Sequence, residues 1–390
     1  RAIPVEVGFS VTFPEGRRRI EAELTAGNPI VVDPERHPLA RLAYASTPNG
    51  PVTAAAVGPK AIVLVTVKET KALIGPSMKE ESREHLTLPV EGEITQLALD
   101  GRGEDLFVGS SSGQVIRVDL RDPSDPKVAG VTAAAVRPGI GLSTMGFLIG
   151  DRTLVVGDTA GGVSTWQLVQ TDGEGQRLAK VHDFPAHTGP VVAFAPSRRD
   201  KGFVTADASG NIRIHYGTTG KTLLTLTAGQ EALSAITFAP KVDGIMTDDA
   251  KGGFSHWTVE NPHPEISWGS LFGKLWYEGY PAPAYVWQST GGTDDFEAKF
   301  SLTPLIFGTI KGTFYALLIA IPLALLGALY TSQFMHPTLK GIVKPTVEIM
   351  AALPSVVLGF LAGLWLAPLV EKVVPGLFLM PIVTTLLILI

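Results

Sequence analysis

The chain has 390 residues, of which 32 are basic, 37 are acidic and none is cysteine. Because this exceeds the roughly 250 to 300 residues at which one hydrophobic core stops growing, two or more domains are expected. Residues 1–299 carry a net charge of −7 and residues 300–390 a net charge of +2. The acidic part argues against nucleic-acid binding through phosphates, and the lack of cysteine excludes disulfides and thiolate metal sites.

Four copies of one pattern follow one another in residues 110–259. Each copy has a short polar residue three positions before a glycine, and the glycines lie 42 to 49 residues apart. The polar side chain can bond the downstream backbone while glycine takes a positive φ, so each copy predicts a hairpin. Two apolar strands precede each turn, which is typical of a propeller blade. The polar residues and glycines are Ser110 and Gly113, Asp158 and Gly161, Asp207 and Gly210, and Asp249 and Gly252.

Residues 186–197 resemble the start of a WD repeat, and tryptophan follows two of the turn glycines by five residues, as in that family. There a histidine, an aspartate and the tryptophan form a hydrogen-bond network within one blade. His187 and Asp207 match, but His215 stands at the tryptophan position, so the resemblance implies an incomplete network. The residues predicted to have this structural role are His187, Asp158, Asp207, Asp249, Trp166 and Trp257.

Residues 1–265 are therefore predicted to be an all-β, WD-like propeller of six to seven blades, at about 45 residues a blade. No phosphate loop, zinc-ligand spacing or nucleophile elbow occurs in the sequence. We therefore expect no catalytic residue, no metal site and no bound cofactor in this chain.

Residues 266–303 are predicted to be a linker at the membrane surface, because three of the six tryptophans of the chain lie there. Aromatic side chains of this kind are enriched where a bilayer meets water. A short interfacial helix over residues 267–278 is one expectation. Packing of this segment beneath the β domain is the alternative.

Residues 304–390 predict an α-helical, polytopic membrane domain with spans at about 312–334, 349–370 and 374–390. The first two runs carry no charge over the ~20 residues that a helix needs to cross a bilayer. Lys340 and Lys344 lie between them, and a basic loop is expected to face the cytoplasm. Residues 1 to about 300 would then be periplasmic. Because the chain begins at Arg1 and ends within an apolar run, we expect both ends to be truncated.

The helical part resembles permease subunits of bacterial phosphate ABC importers, the PstC type. The residues that carry this resemblance are Pro304, Gly308, Thr309, Ile321, Pro322, Leu323, Leu353 to Val357 and Gly359. The resemblance implies a multi-pass inner-membrane subunit that transports by alternating access. Its partners would be a second permease subunit, cytoplasmic ATPase subunits that use ATP, a periplasmic phosphate-binding protein and membrane lipids.

The candidates for the translocation path are Pro354, Ser355 and Lys311. A proline frees backbone groups within a span, and interrupted helices line the paths of other transporters. Two rival functions stay open at this point. One is a membrane-anchored propeller scaffold for envelope proteins, and the other is a propeller enzyme with a quinone-type cofactor, for which the sequence supplies no acid, base or metal ligand.

Overall fold

The structure is a computed structural model, and it divides into two compact units, Arg1–Phe307 and Gly308–Ile390. The first unit consists mainly of antiparallel sheets and the second of helices. The residues that the structure describes are 5–12, 19–26, 29–70, 78–171, 175–229, 231–293 and 295–389.

The first unit begins with a two-stranded hairpin, followed by four-stranded sheets in which neighbouring strands are consecutive in the chain. The hairpin consists of β1 (Val5–Thr12) and β2 (Arg19–Ala26). Blade 1 consists of β3 (Arg41–Thr47), β4 (Gly50–Ala56), β5 (Ala61–Thr70) and β6 (Met78–Thr87). Blade 2 consists of β7 (Ile94–Leu99), β8 (Asp105–Ser110), β9 (Gln114–Asp119) and β10 (Lys127–Ala133).

Two more four-stranded sheets and one three-stranded sheet follow with the same meander order. Blade 3 consists of β11 (Leu142–Phe147), β12 (Thr153–Asp158), β13 (Val163–Thr171) and β14 (Gly175–Phe184). Blade 4 consists of β15 (Val191–Pro196), β16 (Gly202–Asp207), β17 (Asn211–Tyr216) and β18 (Lys221–Thr227). Blade 5 consists of β19 (Leu233–Phe238), β20 (Gly244–Asp249) and β21 (Phe254–Thr258).

The blades are joined through their first strands, because β3, β7, β11, β15 and β19 each contact the next in this order. A separate apolar cluster fills each space between neighbouring blades. Radial repetition of meander sheets is the architecture of a β-propeller. The described residues contain five blades, fewer than the six to seven predicted, and the described residues before β3 include a hairpin and no further blade.

The turn pattern read from the sequence has the expected geometry in blade 4. One carboxylate oxygen of Asp207 accepts hydrogen bonds from the backbone N–H groups of Ser209, at 2.9 Å, and Asn211, at 2.8 Å. Gly210 between them has a φ of +79°, and a Cβ there would lie 2.5 Å from the Gly229 carbonyl oxygen. Only glycine takes this conformation freely and leaves room for the neighbouring backbone.

The segment after blade 5 folds back on the propeller. Its helix α1 (Trp268–Phe272) has five residues and ends at Gly273, so the predicted interfacial helix over 267–278 is wrong in length. Two short strands, β22 (Trp287–Gln288) and β23 (Lys299–Phe300), then pair with each other. Residues 273–300 are called the strap below. Its contacts with blades 3 and 4 correspond to the alternative expectation of packing against the β domain.

The second unit has a long helix, α2 (Thr303–Leu329), which begins in the first unit and continues as a π-helical turn at Tyr330–Phe334. A second helix, α3 (Pro337–Ala352), follows. Lys340 and Lys344 lie on α3, so the loop predicted between the first two spans is wrong. The span limits were predicted from the two uncharged runs alone, and charge gives no information about whether the segment between the runs is helical.

The chain is extended at Leu353 and Pro354 and then helical again from α4 (Ser355–Leu361) through a π-helical turn to α5 (Ala367–Leu389). This helical run has no break near residue 374, where a third span was predicted to begin. Two stretches in the described residues are long and apolar enough to cross a membrane, Thr303–Phe334 and Ser355–Val374.

Candidate functional site

Pro354 and Ser355 lie at the break between α3 and α4. Leu353 and Pro354 have ψ values of 140° and 126°, which are extended and not helical. Proline has no N–H to donate, and the α-helical conformation is disfavoured for the residue before it. Helix α4 then begins at Ser355, and the Pro354 carbonyl accepts from the N–H groups of Val357, at 3.0 Å, and Leu358, at 3.2 Å. The sequence therefore produces a fixed interruption between two helices.

Lys311 lies in α2, and its side chain is exposed. Within the described residues, α2 makes no extensive packing contact with the helices that follow Pro354. The structure therefore joins Pro354 and Ser355 at one break but does not bring Lys311 to them. No side chain of α2, α3 or α4 is buried, so the apolar surfaces of these helices face outward.

A hydrogen-bonded chain of side chains crosses blade 4. Nε2 of His187 lies 2.8 Å from the hydroxyl of Thr205, and that hydroxyl lies 2.9 Å from Nε2 of His215. Nδ1 of His215 in turn lies 3.0 Å from the hydroxyl of Thr222. His215 thus takes the place of the tryptophan of the WD pattern in this chain of hydrogen bonds, whereas Nδ1 of His187 has no hydrogen-bond partner among the described residues.

Burial keeps this network neutral. It lowers the pKa of His215 from 6.5 to about 3, with the nearby His187 and Arg213 as smaller causes. It also lowers the pKa of His187, although the Asp207 carboxylate opposes this effect. Nδ1 of His187 lies 3.4 Å from that carboxylate. Neutral buried imidazoles that bond to hydroxyls stabilise a blade, and they suit this role better than proton transfer with a substrate.

The other predicted blade residues lie at equivalent turns and in the spaces between blades. Asp158 accepts from the backbone N–H of Gly162 at 2.7 Å, and Asp249 accepts from that of Gly253 at 2.7 Å. Trp166 is buried between blades 2 and 3, whereas Trp257 is only partly buried beside the cluster between blades 4 and 5. In the described part of the chain, no three His, Cys, Asp or Glu residues are placed to hold a metal ion.

A cavity of about 820 Å³ lies between blades 2 and 3 and the strap. Apolar side chains, Phe107 and Trp166 among them, form part of its lining, and Arg102, Arg121 and Arg152 add positive charge. Acidic side chains from the same turns and the strap offset that charge. A concave surface with an apolar part and charged groups suits a polar partner with an apolar anchor.

The strap is fixed to the propeller by a buried ion pair. Nζ of Lys201, in the turn between β15 and β16, lies 2.6 Å from Oε2 of Glu278 in the strap. The other oxygen of Glu278 accepts from the Thr153 hydroxyl of blade 3 at 2.6 Å. The side chains of Lys201 and Glu278 are 3% and 14% exposed. Charges buried this deeply require the hydrogen bonds that both groups have here.

Comparison with known proteins finds similarity to a permease and to solved structures, a β-propeller domain among them. Part of the chain is similar to an ABC transporter permease. The relative is the Bacillus subtilis (strain 168) protein described as probable ABC transporter permease protein YqgH, with 32% identity over 78 residues. These residues are 20% of this chain and only 25% of the relative's length. No protein-family model matches the chain.

One structural neighbour is the β-propeller domain of Myceliophteria_thermophila Cps50 (Swd1). Its crystal structure aligns with a TM-score of 0.46 and 16% identity, over 58% of this chain and 72% of that chain. The permease similarity covers a fifth of the chain, and two stretches of the described residues are long and apolar enough to cross a membrane.

Two features of the site could not be read from local sequence patterns. Glu278 is 77 residues from Lys201 and 125 residues from Thr153, so no spacing rule connects them. The place of His215 in the hydrogen-bond network was missed because comparison with the WD pattern shows only that the tryptophan is absent. The repeat register does place His215 opposite Phe203 on the neighbouring strand, and this position was the available signal.

Proposed function

We propose that this chain is a permease-type subunit of a bacterial ABC importer for an inorganic oxyanion such as phosphate. The helical part would form one side of the translocation path and work by alternating access. The propeller would be a periplasmic docking module for the substrate-binding protein or another envelope component. The observation that carries the proposal is the 32% identity to an ABC transporter permease.

The interrupted helix supports a role in the path. The break lies at the start of the second apolar stretch, because the chain is extended at Leu353 and Pro354 and Ser355–Val374 follows immediately. Interruptions of this kind expose backbone groups that can bind ions or polar substrates. Ser355 would add its hydroxyl at the same place. ATP hydrolysis would occur on separate cytoplasmic subunits, so the chain itself would be no enzyme.

A membrane-anchored propeller scaffold is the second candidate, and the cavity beside the strap favours it as a place where a partner could dock. Deletion strains separate the two functions. Cells that lack the gene would be supplied with the full-length protein or with a form that ends after Phe334, which keeps the propeller and α2. The importer predicts that only the full-length protein restores energy-dependent uptake of radiolabelled phosphate. Equal restoration by both forms would reject a path through the later helices.

The topology can be tested independently because the chain contains no cysteine. Single cysteines at Thr225 of the propeller and at Thr338 of α3 would be treated with a membrane-impermeant maleimide in spheroplasts. We expect labelling at the propeller position only, and labelling at both positions after the membrane is permeabilised. The opposite pattern would contradict the periplasmic placement.

A further inference from the structure

The strap crosses the same end of blades 3 and 4, at the turn between β11 and β12 and at two turns of blade 4. The Lys201–Glu278 pair holds it there, and Nζ of Lys201 also donates to the Ile149 carbonyl at 2.6 Å. Both charged groups of this contact therefore have close polar partners on the propeller.

A second carboxylate of the strap lies in the same cluster with different partners. Glu297 accepts a hydrogen bond from the Thr218 hydroxyl, in the turn between β17 and β18. The hydroxyl of Tyr216 in β17 lies near this carboxylate as well. No lysine or arginine forms an ion pair with this carboxylate among the residues that the structure describes, since Lys201 pairs with Glu278. Nζ of Lys299 contacts the backbone oxygen of Glu297, at 3.3 Å, and not its carboxylate.

This environment disfavours the charged form of Glu297. Burial raises its pKa from 4.5 to about 7, and the Glu278 carboxylate contributes in the same direction. The Thr218 hydrogen bond and the ammonium groups of Lys201 and Lys299 oppose the rise. Other titratable or charged groups near the cluster, from the strap and from the residues packed around it, are Arg152, His182, Asp200, Tyr216, Glu265, Tyr277 and Asp295.

We propose that the strap is a proton-operated clasp, which closes on blades 3 and 4 when Glu297 takes up a proton and loosens when Glu297 loses it. The bound species is a proton, which converts an unpaired carboxylate into a neutral acid. The strap runs directly into α2, since its last strand ends at Phe300 and α2 begins at Thr303. Proton uptake by Glu297 would therefore strengthen the contact between the propeller and the segment that leads into α2, and this effect does not depend on the transported substrate.

The sign and size of the effect follow from linkage. The docked carboxyl has the higher pKa, so docking is favoured below the free pKa of 4.5 and weakens as pH rises through about 7. Between about pH 5.5 and about pH 8, the docking equilibrium constant is expected to fall by at most about 30-fold. The partial exposure of Glu297 reduces this figure.

The clasp can be tested by distance measurements on the full chain in lipid nanodiscs. Spin labels would be attached to Gly292→Cys in the strap and Thr225→Cys on blade 4, in a chain without native cysteine. A Cβ at Gly292 meets nothing within 4 Å, so the label fits. The control pair, Val131→Cys with Thr225→Cys, reports on the propeller alone. Pulsed electron resonance would be recorded at about pH 5.5 and about pH 8.

The expected result is a narrow strap-to-blade distance at the lower pH and an additional longer distance at the higher pH, with no change in the control pair. Glu297→Gln keeps the strap docked at both values, whereas Asp295→Asn, two residues away and exposed, keeps the pH response. Thr218→Val removes a bond that lowers the pKa of Glu297, so it moves the midpoint of the response upward. A distance that does not change with pH, or a response that persists in Glu297→Gln, would overturn the proposal.

Discussion

The hydroxyl of Thr205 joins two buried imidazoles, and its removal tests whether the blade network stabilises the propeller. Thr205 and His215 are both 0% exposed. The hydroxyl has one proton, so it donates to one ring nitrogen and accepts an N–H from the other. In Thr205→Val the shape of the side chain is kept, but both nitrogens lose this partner.

Each buried polar group left without a partner costs about 1–3 kcal/mol, so Thr205→Val is expected to cost about 2–5 kcal/mol of unfolding free energy. For a unit of this size, the loss would lower the melting temperature by about 2–4 °C per kcal/mol. Chemical unfolding of the full chain in detergent, followed by tryptophan fluorescence, measures it. Thr225→Val, on an exposed face of the same blade, is the control and should stay within about 0.5 kcal/mol. A cost below about 1 kcal/mol for Thr205→Val would refute the network's role.

Three further predictions concern the pH response, the turns and the helix break. Because His215 has a folded pKa of about 3 against an ordinary 6.5, stability should fall by about 3 kcal/mol between about pH 7 and about pH 4. Glu297 changes stability with pH in the opposite direction. The free energy of unfolding is therefore best compared between Glu297→Gln and the double variant that also carries His215→Phe. If both lose the same stability as pH falls, His215 does not have the lowered pKa. Asp207→Ala should lower the free energy of unfolding by about 2–4 kcal/mol and Asp249→Ala by about 1 kcal/mol, since Asp207 is fully buried and Asp249 only partly. Equal losses in thermal unfolding would argue against this difference between the two turns. Pro354→Leu should reduce phosphate uptake at least about tenfold without loss of membrane assembly. The control Pro322→Leu, within the unbroken α2, should leave uptake unchanged. Normal uptake by Pro354→Leu would show that the break does not contribute to the translocation path.

The blades could be predicted because their signals are local. A carboxylate such as Asp207 and a glycine three residues later define a turn, and the alternating strand after it defines the register. The composition of the apolar runs likewise predicted helices long enough to cross a membrane. In these parts, physical requirements that act within about ten residues decide the structure.

The missed features depend on groups that are distant in sequence or on neighbouring helices. Lys340 and Lys344 led to the predicted loop, but both residues lie on α3, and lysine is tolerated well in helices. The partners of Glu278 and Glu297 lie on other blades, and only the folded propeller brings them to the strap. The effect of burial on Glu297 likewise depends on its folded surroundings and not on its sequence neighbours.

The proposed function, a path-forming subunit of an ATP-driven importer, can be tested directly by reconstitution. The full-length protein, purified with its second permease subunit and ATPase subunits, would be placed in proteoliposomes with the binding protein outside and ATP inside. We expect uptake of radiolabelled phosphate that requires both ATP and the binding protein. Uptake of any other oxyanion should be slower under the same conditions. Complete assembly with no ATP-dependent uptake of any oxyanion would contradict it.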